Sequence, residues 1–155
     1  MTAELRTFVD IDATPERVWQ VLIDVPTYPE WNPFVTSAGG TFEVGERLSF
    51  TVSPLNPLLR GTLRPTVVEV TPYRRLEFRV QYGKLGIPGL FGGDHTVTLV
   101  ENDDGTVRLW EEVRFRGLLV PLVSRSLNRD SSPAVDAMNE VLKNRIERTQ
   151  PAAFD

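Results

Sequence analysis

The chain carries a single histidine, His95, and no cysteine among its 155 residues. Those two counts fix which chemistry is open to it. Without cysteine there is no thiol nucleophile, thiolate zinc site or disulfide scaffold. With one histidine, a two-histidine metal motif such as HExxH cannot form within one chain, and a serine–histidine nucleophile pair would have to use His95 itself. In its strand-like run, His95 shares a face with Val97 and Leu99, while Thr96, Thr98 and Val100 share the other. The next run alternates Leu109, Glu111, Val113 and Phe115 with Arg108, Trp110, Glu112 and Arg114. A hairpin that sets Val97 opposite Leu109 brings His95 opposite Glu111 on the same, concave, face. A histidine beside a carboxylate has a raised pKa and suits general acid or base work. The same arrangement serves equally well as a hydrogen-bonded structural pair that lines a pocket.

Aromatic side chains form the second set: Trp19, Trp31, Phe34, Phe50, Phe78, Tyr82, Phe91 and Phe115. On an inner face such residues are core or the lining of a cavity. Phe91 sits in the glycine-rich loop GKLGIPGLFGG and is the candidate gate, whereas Trp31 and Asn32 are expected to pin a turn. Arg64 shares parity with Thr66, Val68 and Val70. Turned inward it would need a buried partner, such as a ligand carboxylate or Glu111; turned outward it is an ordinary exposed cation. The glycine-rich loop has neither GxGxxG nor the Walker pattern, and a strand follows it where those motifs need a helix. No GxSxG elbow is present either.

These side chains must be held by the elements around them. Leu5–Ile11 reads as a strand. Thr14 then suits a helix cap, Pro15 the first helical position and Glu16 the first turn, with Val18, Val21 and Leu22 on one helix face. Pro26 and Pro29 stop that helix, and YPEWNPF has room for one short helical turn. Strands are expected over Glu46–Val52, Thr62–Thr71, Arg75–Tyr82, Asp94–Val100 and Val107–Gly117, the last two joined through Asp104–Gly105. From Leu118 to Arg148 the period becomes helical, interrupted at Pro133, with Ala134, Met138, Val141, Leu142 and Arg145 as the inner stripe.

Seventeen basic against twenty-one acidic residues give a net charge of −4, which provides no electrostatic footprint for nucleic acid. The segment MTAELRTFVDID lacks the apolar core of a signal peptide. Gly117–Val123, the longest strongly apolar stretch, is far too short to span a bilayer. The expectation is one cytoplasmic domain over 1–150 with a tail at 151–155, without cofactor or metal, as a monomer or homodimer.

The string ATPERVWQVLIDVPTYPEWNPF resembles the opening of the START-related, birch-pollen-allergen-like superfamily SRPBCC, in its polyketide cyclase/dehydrase-like branch. The resemblance lies in a strand, a P-x-x-V-W helix and a Y-x-x-W-N-P turn. GLFGGDHTVTL, FRGLLVPL and AMNEVLKNRIE are similar too, so the likeness runs from Glu4 to Arg148. It implies an α+β helix-grip fold. In that fold a curved antiparallel sheet of about seven strands wraps a long C-terminal helix, two short helices follow the first strand, and a deep cavity lies between. Members bind or process apolar molecules such as sterols, lipids, polyketides and quinones. Related proteins often carry an acid two residues before a Phe-x-Gly; that position is Val113 here, a departure that weakens any carry-over of an acid role to Glu112.

The leading expectation is binding or carriage of a small hydrophobic ligand in an internal cavity. Phe50, Phe78, Tyr82, Phe91, Phe115 and Met138 would supply apolar walls, His95 and Glu111 a polar handle, and Arg64 a further candidate contact. The alternative is a polyketide cyclase, aromatase or dehydratase in which His95 moves the proton and Glu111 orients it. A protein-interaction or stress-related domain with a filled interior and an exposed apolar patch is the third.

Overall fold

A computed structural model describes residues 2–52, 61–81, 92–117, 120 and 136–148. Strand β1 (Thr2–Ile11) leads to helix α1 (Pro15–Ile23), a 3₁₀ turn (Val25–Thr27) and the one-turn helix α2 (Tyr28–Trp31). Strands β2 (Val35–Gly39), β3 (Ser49–Val52), β4 (Gly61–Leu63), β5 (Thr66–Thr71), β6 (Arg75–Gln81), β7 (Gly92–Glu101) and β8 (Val107–Arg116) follow. Helix α3 spans 136–148. The strands form a five-stranded antiparallel sheet, β1-β8-β7-β6-β5, and a three-stranded one, β2-β3-β4. An antiparallel bridge between Arg47 and Thr66 links them. Two bonds of 2.9 Å reinforce it, from Gly45 N–H to the Val67 carbonyl and from Val67 N–H to that of Glu46.

The α+β helix-grip architecture is therefore the one expected, and local chemistry explains its first third. Arg17 N–H donates to Thr14 Oγ1 at 3.2 Å, capping α1 behind Pro15. The helix buries Val18, Trp19, Val21 and Leu22. They join Ile11, Val25, Leu109, Leu142 and Ile146 in the core. Two bonds tie α3 to β1, Asn139 Nδ2 to Thr7 Oγ1 at 2.9 Å and Lys143 Nζ to the Asp10 carbonyl at 2.7 Å, and a third runs from Asp12 N–H, just past the strand, to Glu147 Oε1 at 2.9 Å.

Three expectations need correction. Thr62–Thr71 is not one strand, because β4 and β5 part at Arg64–Pro65 and belong to different sheets. Proline has no N–H for a ladder, and the Pro65 carbonyl instead accepts from Leu48 N–H at 2.9 Å. The buried stripe of α3 is Asn139, Leu142 and Ile146, with Val141 exposed. A polar residue at its centre, satisfied in part by Thr7, disguised that face. Finally, the β7–β8 hairpin pairs Val97 with Glu111 and Leu99 with Leu109. Its loop spans Asn102–Thr106, closed by Asn102 N–H to the Thr106 carbonyl at 2.9 Å, with Gly105 at φ +85°. That longer loop shifts the register by two residues, so parity survives while each partner changes. His95 stands opposite Val113.

Candidate functional site

Inner-face residues of both sheets, with α1, α2 and α3, line a half-open cavity of about 220 Å³. Its wall is almost wholly apolar. Of the candidate residues, Phe50 lines it from β3, Phe78 from β6, Met138 from α3, His95 from β7 and Glu111 from β8. Phe42, Leu76, Val80 and Val97 complete much of the remainder. Phe78 packs on the His95 ring at 4.8 Å between centroids and on Phe42 at 6.2 Å.

The other candidates fall elsewhere. Arg64 is exposed, between β4 and β5, and does not line the cavity. Beside Pro65 it is no longer in a strand, so the parity that would have turned it inward does not apply. Phe115 is buried on the inner face of β8 but outside the cavity lining. Tyr82 and the proposed gate Phe91 lie outside the described residues.

Trp31 and Asn32 do more than pin a turn, for both line the cavity. Asn32 Oδ1 accepts from Phe34 N–H at 2.9 Å, and its Nδ2 lies 3.2 Å from Met138 Sδ, tying the turn to α3. Tyr28, also in the lining, donates its hydroxyl proton to the Leu22 carbonyl. Burial pushes its phenol pKa upward. No strand or helix period marks Tyr28, Trp31 or Asn32, since one helical turn is too short to show one.

The electrostatics of His95 and Glu111 differ from those of a charged pair. His95 turns part of its ring to the cavity, but its Nε2 is buried without a hydrogen-bond partner. Desolvation lowers its pKa to about 4, so the ring is neutral at pH 7. That reverses the raised value expected for a histidine directly facing a carboxylate. Glu111 is 5% exposed. Its Oε2 has no partner, and burial raises its pKa to about 8, so most of it holds a proton at pH 7. The indole Nε1 of Trp31 is buried and unpartnered too. A buried polar group left unpaired costs about 1–3 kcal/mol, and here three cavity-lining residues each carry one. Among the described residues no three His, Cys, Asp or Glu side chains converge as metal ligands. Nor is any helix of those residues long and apolar enough to cross a membrane.

The family model described as polyketide cyclase / dehydrase and lipid transport matches residues 2–147. The chain belongs to this family. No curated protein matches it. Solved structures with a similar fold include a Mesorhizobium loti protein, 21% identical, with TM-score 0.74 over 96% of this chain and 100% of the other. A START superfamily protein from Mycobacterium smegmatis is 16% identical, with TM-score 0.70 over 95% and 99%. Norcoclaurine synthase from Thalictrum flavum, in complex with dopamine and hydroxybenzaldehyde, is 13% identical, with TM-score 0.73 over 97% and 90%. At these identities the solved structures show a shared helix-grip fold and no more, and ligand chemistry does not follow from fold.

Proposed function

We propose that this family member binds a small, largely apolar molecule in the cavity between its sheets and α3. The observation that carries the proposal is the cavity itself: about 220 Å³, walled by Phe50, Phe78, Phe42 and Met138, with few polar groups. Binding sites for small molecules are mostly apolar with a small number of placed polar groups. An interior of this kind also argues against an interaction domain with a filled core. The family description, which couples polyketide chemistry with lipid transport, agrees with a hydrophobic occupant. Native mass spectrometry of protein purified from its source tests the proposal. A co-purifying apolar molecule, released on unfolding, is expected; ligand-free protein that also takes up no apolar probe would overturn it.

One observation favours a second reading, an acid–base enzyme such as a cyclase or dehydratase. Glu111 and His95 face one cavity with their pKa values pushed to opposite sides of neutrality, and such separated pairs are how enzymes assign acid and base. The roles then differ from those expected from sequence: protonated Glu111 is the acid and neutral His95 the base. Replacing His95 with Gln should lower turnover of a polyketide-like substrate at least ~100-fold. An unchanged rate removes that role.

A further inference from the structure

We propose, resting on the cavity-binding reading above, that Met138 is a site of oxidation by peroxides and that its sulfoxide weakens the hold of the cavity on an apolar occupant. Asn32 directs the incoming oxygen to one face of the sulfur. Sulfur is scarce in this chain, which has two methionines, Met1 and Met138, and no cysteine. A thiolate is the usual first target of a peroxide; here thioether sulfur takes that place. Met138 is partly buried against the core and lines the half-open cavity. Such an opening admits a peroxide, which is little larger than water.

The surroundings of the sulfur are fixed by Asn32, which is 8% exposed and whose Oδ1 accepts from Phe34 N–H at 2.9 Å. That bond sets the orientation of the amide, so the group 3.2 Å from Sδ is the Nδ2 donor. A thioether sulfur accepts only weakly, yet an N–H held against one of its lone pairs shields that face and leaves the other nucleophilic. Oxygen transfer proceeds on the open face. Sδ attacks a peroxide oxygen, the S–O bond forms as the O–O bond breaks, and sulfur gives up two electrons. The departing hydroxide takes the proton of the transferred oxygen and leaves as water. Sulfoxide sulfur is a stereocentre, so attack on one face yields one epimer. The product sets a polar group into a wall otherwise built from Phe42, Phe50 and Phe78. An apolar ligand that covers it strips water from the new oxygen without replacing the hydrogen bonds.

Hydrogen peroxide applied to the whole protein tests this, with 2-acetylnaphthalene as the apolar probe. Peptide mapping should show one oxygen added at Met138, at a rate within about tenfold of that of N-acetylmethionine amide. After digestion, one of the two epimer-specific methionine sulfoxide reductases should restore about fivefold more of the Met138 peptide than the other, the discrimination that one hydrogen bond supplies. Asn32→Asp keeps an acceptor for Phe34 N–H but loses the donor, and should bring that ratio close to one. By calorimetry the oxidised protein should bind the probe about tenfold more weakly while still unfolding cooperatively. Met138→Leu, whatever its own affinity, should keep it unchanged on peroxide treatment. A Met138 that stays reduced while the free amide is consumed would overturn the proposal and leave the cavity reading standing. So would epimers in equal amount, a ratio unmoved in Asn32→Asp, or a probe affinity indifferent to the sulfoxide. A probe that does not bind the untreated protein overturns the cavity reading and, with it, the loss of affinity; the oxygen count and epimer ratio, which need no probe, decide the oxidation by themselves.

Discussion

His95 lies diagonally across the β7–β8 pair from Glu111: Val97 takes the place opposite the carboxyl, and Val113 the place opposite the imidazole. Both residues keep the inner face, because a two-residue change of register preserves side-chain parity. Each is thereby surrounded by apolar neighbours, which is why burial alone accounts for both pKa shifts.

Opposite shifts give the stability curve a distinctive shape. Glu111 has a folded pKa of about 8 against an ordinary 4.5. Between those values the unfolded chain has lost a proton that the native state keeps, so stability falls as pH rises. His95 has a folded pKa of about 4 against 6.5. Between those the unfolded chain binds a proton that the native state lacks, so stability rises with pH. From about pH 4.5 to 6.5 the two slopes cancel. Urea unfolding followed across pH should show a plateau there, then a fall of up to ~1.4 kcal/mol per unit towards pH 8. In Glu111→Gln the fall above pH 6.5 should disappear; in His95→Gln it should remain.

The Phe78 ring lies 4.8 Å from that of His95 and 6.2 Å from that of Phe42, and borders the cavity. Phe78→Ala should cost about 2–3 kcal/mol, less than the ~3–5 of a phenylalanine packed on all sides. It should also admit bulkier probes. Denaturant unfolding and a size series of apolar ligands measure the two effects.

Asn139, 2% exposed, donates to Thr7 Oγ1, while its own Oδ1 is buried without a partner. Asn139→Leu alone strands the Thr7 hydroxyl and should cost about 1–2 kcal/mol. Adding Thr7→Val removes both polar partners and should return the protein to within about 1 kcal/mol of its starting stability. A double-mutant cycle gives the coupling directly.

What the sequence made legible follows from periodicity. Thr14, Pro15 and the apolar positions of α1 announce a helix, and strict alternation around His95 and Glu111 placed both on the correct face before their partners were known. Parity carries that much. It does not carry register, which depended on the Asn102–Thr106 loop closing over five residues. It fails where a strand ends early, as at Pro65, and so gave no guide to Arg64. The polar end of the cavity was half concealed, because Trp31 and Asn32 sit on a single helical turn and its edge, where no period can be read.

An interior that holds an apolar molecule shows itself most directly in ligand-linked thermal unfolding. With 2-acetylnaphthalene at about 100 times its dissociation constant, one site should add about 2.7 kcal/mol of stability and raise the melting temperature of the wild-type protein. Val97→Phe, which fills the space beside Glu111, should abolish the rise while the variant still unfolds cooperatively. A melting temperature that does not move with ligand concentration, or one that rises equally in the filled variant, would contradict the account.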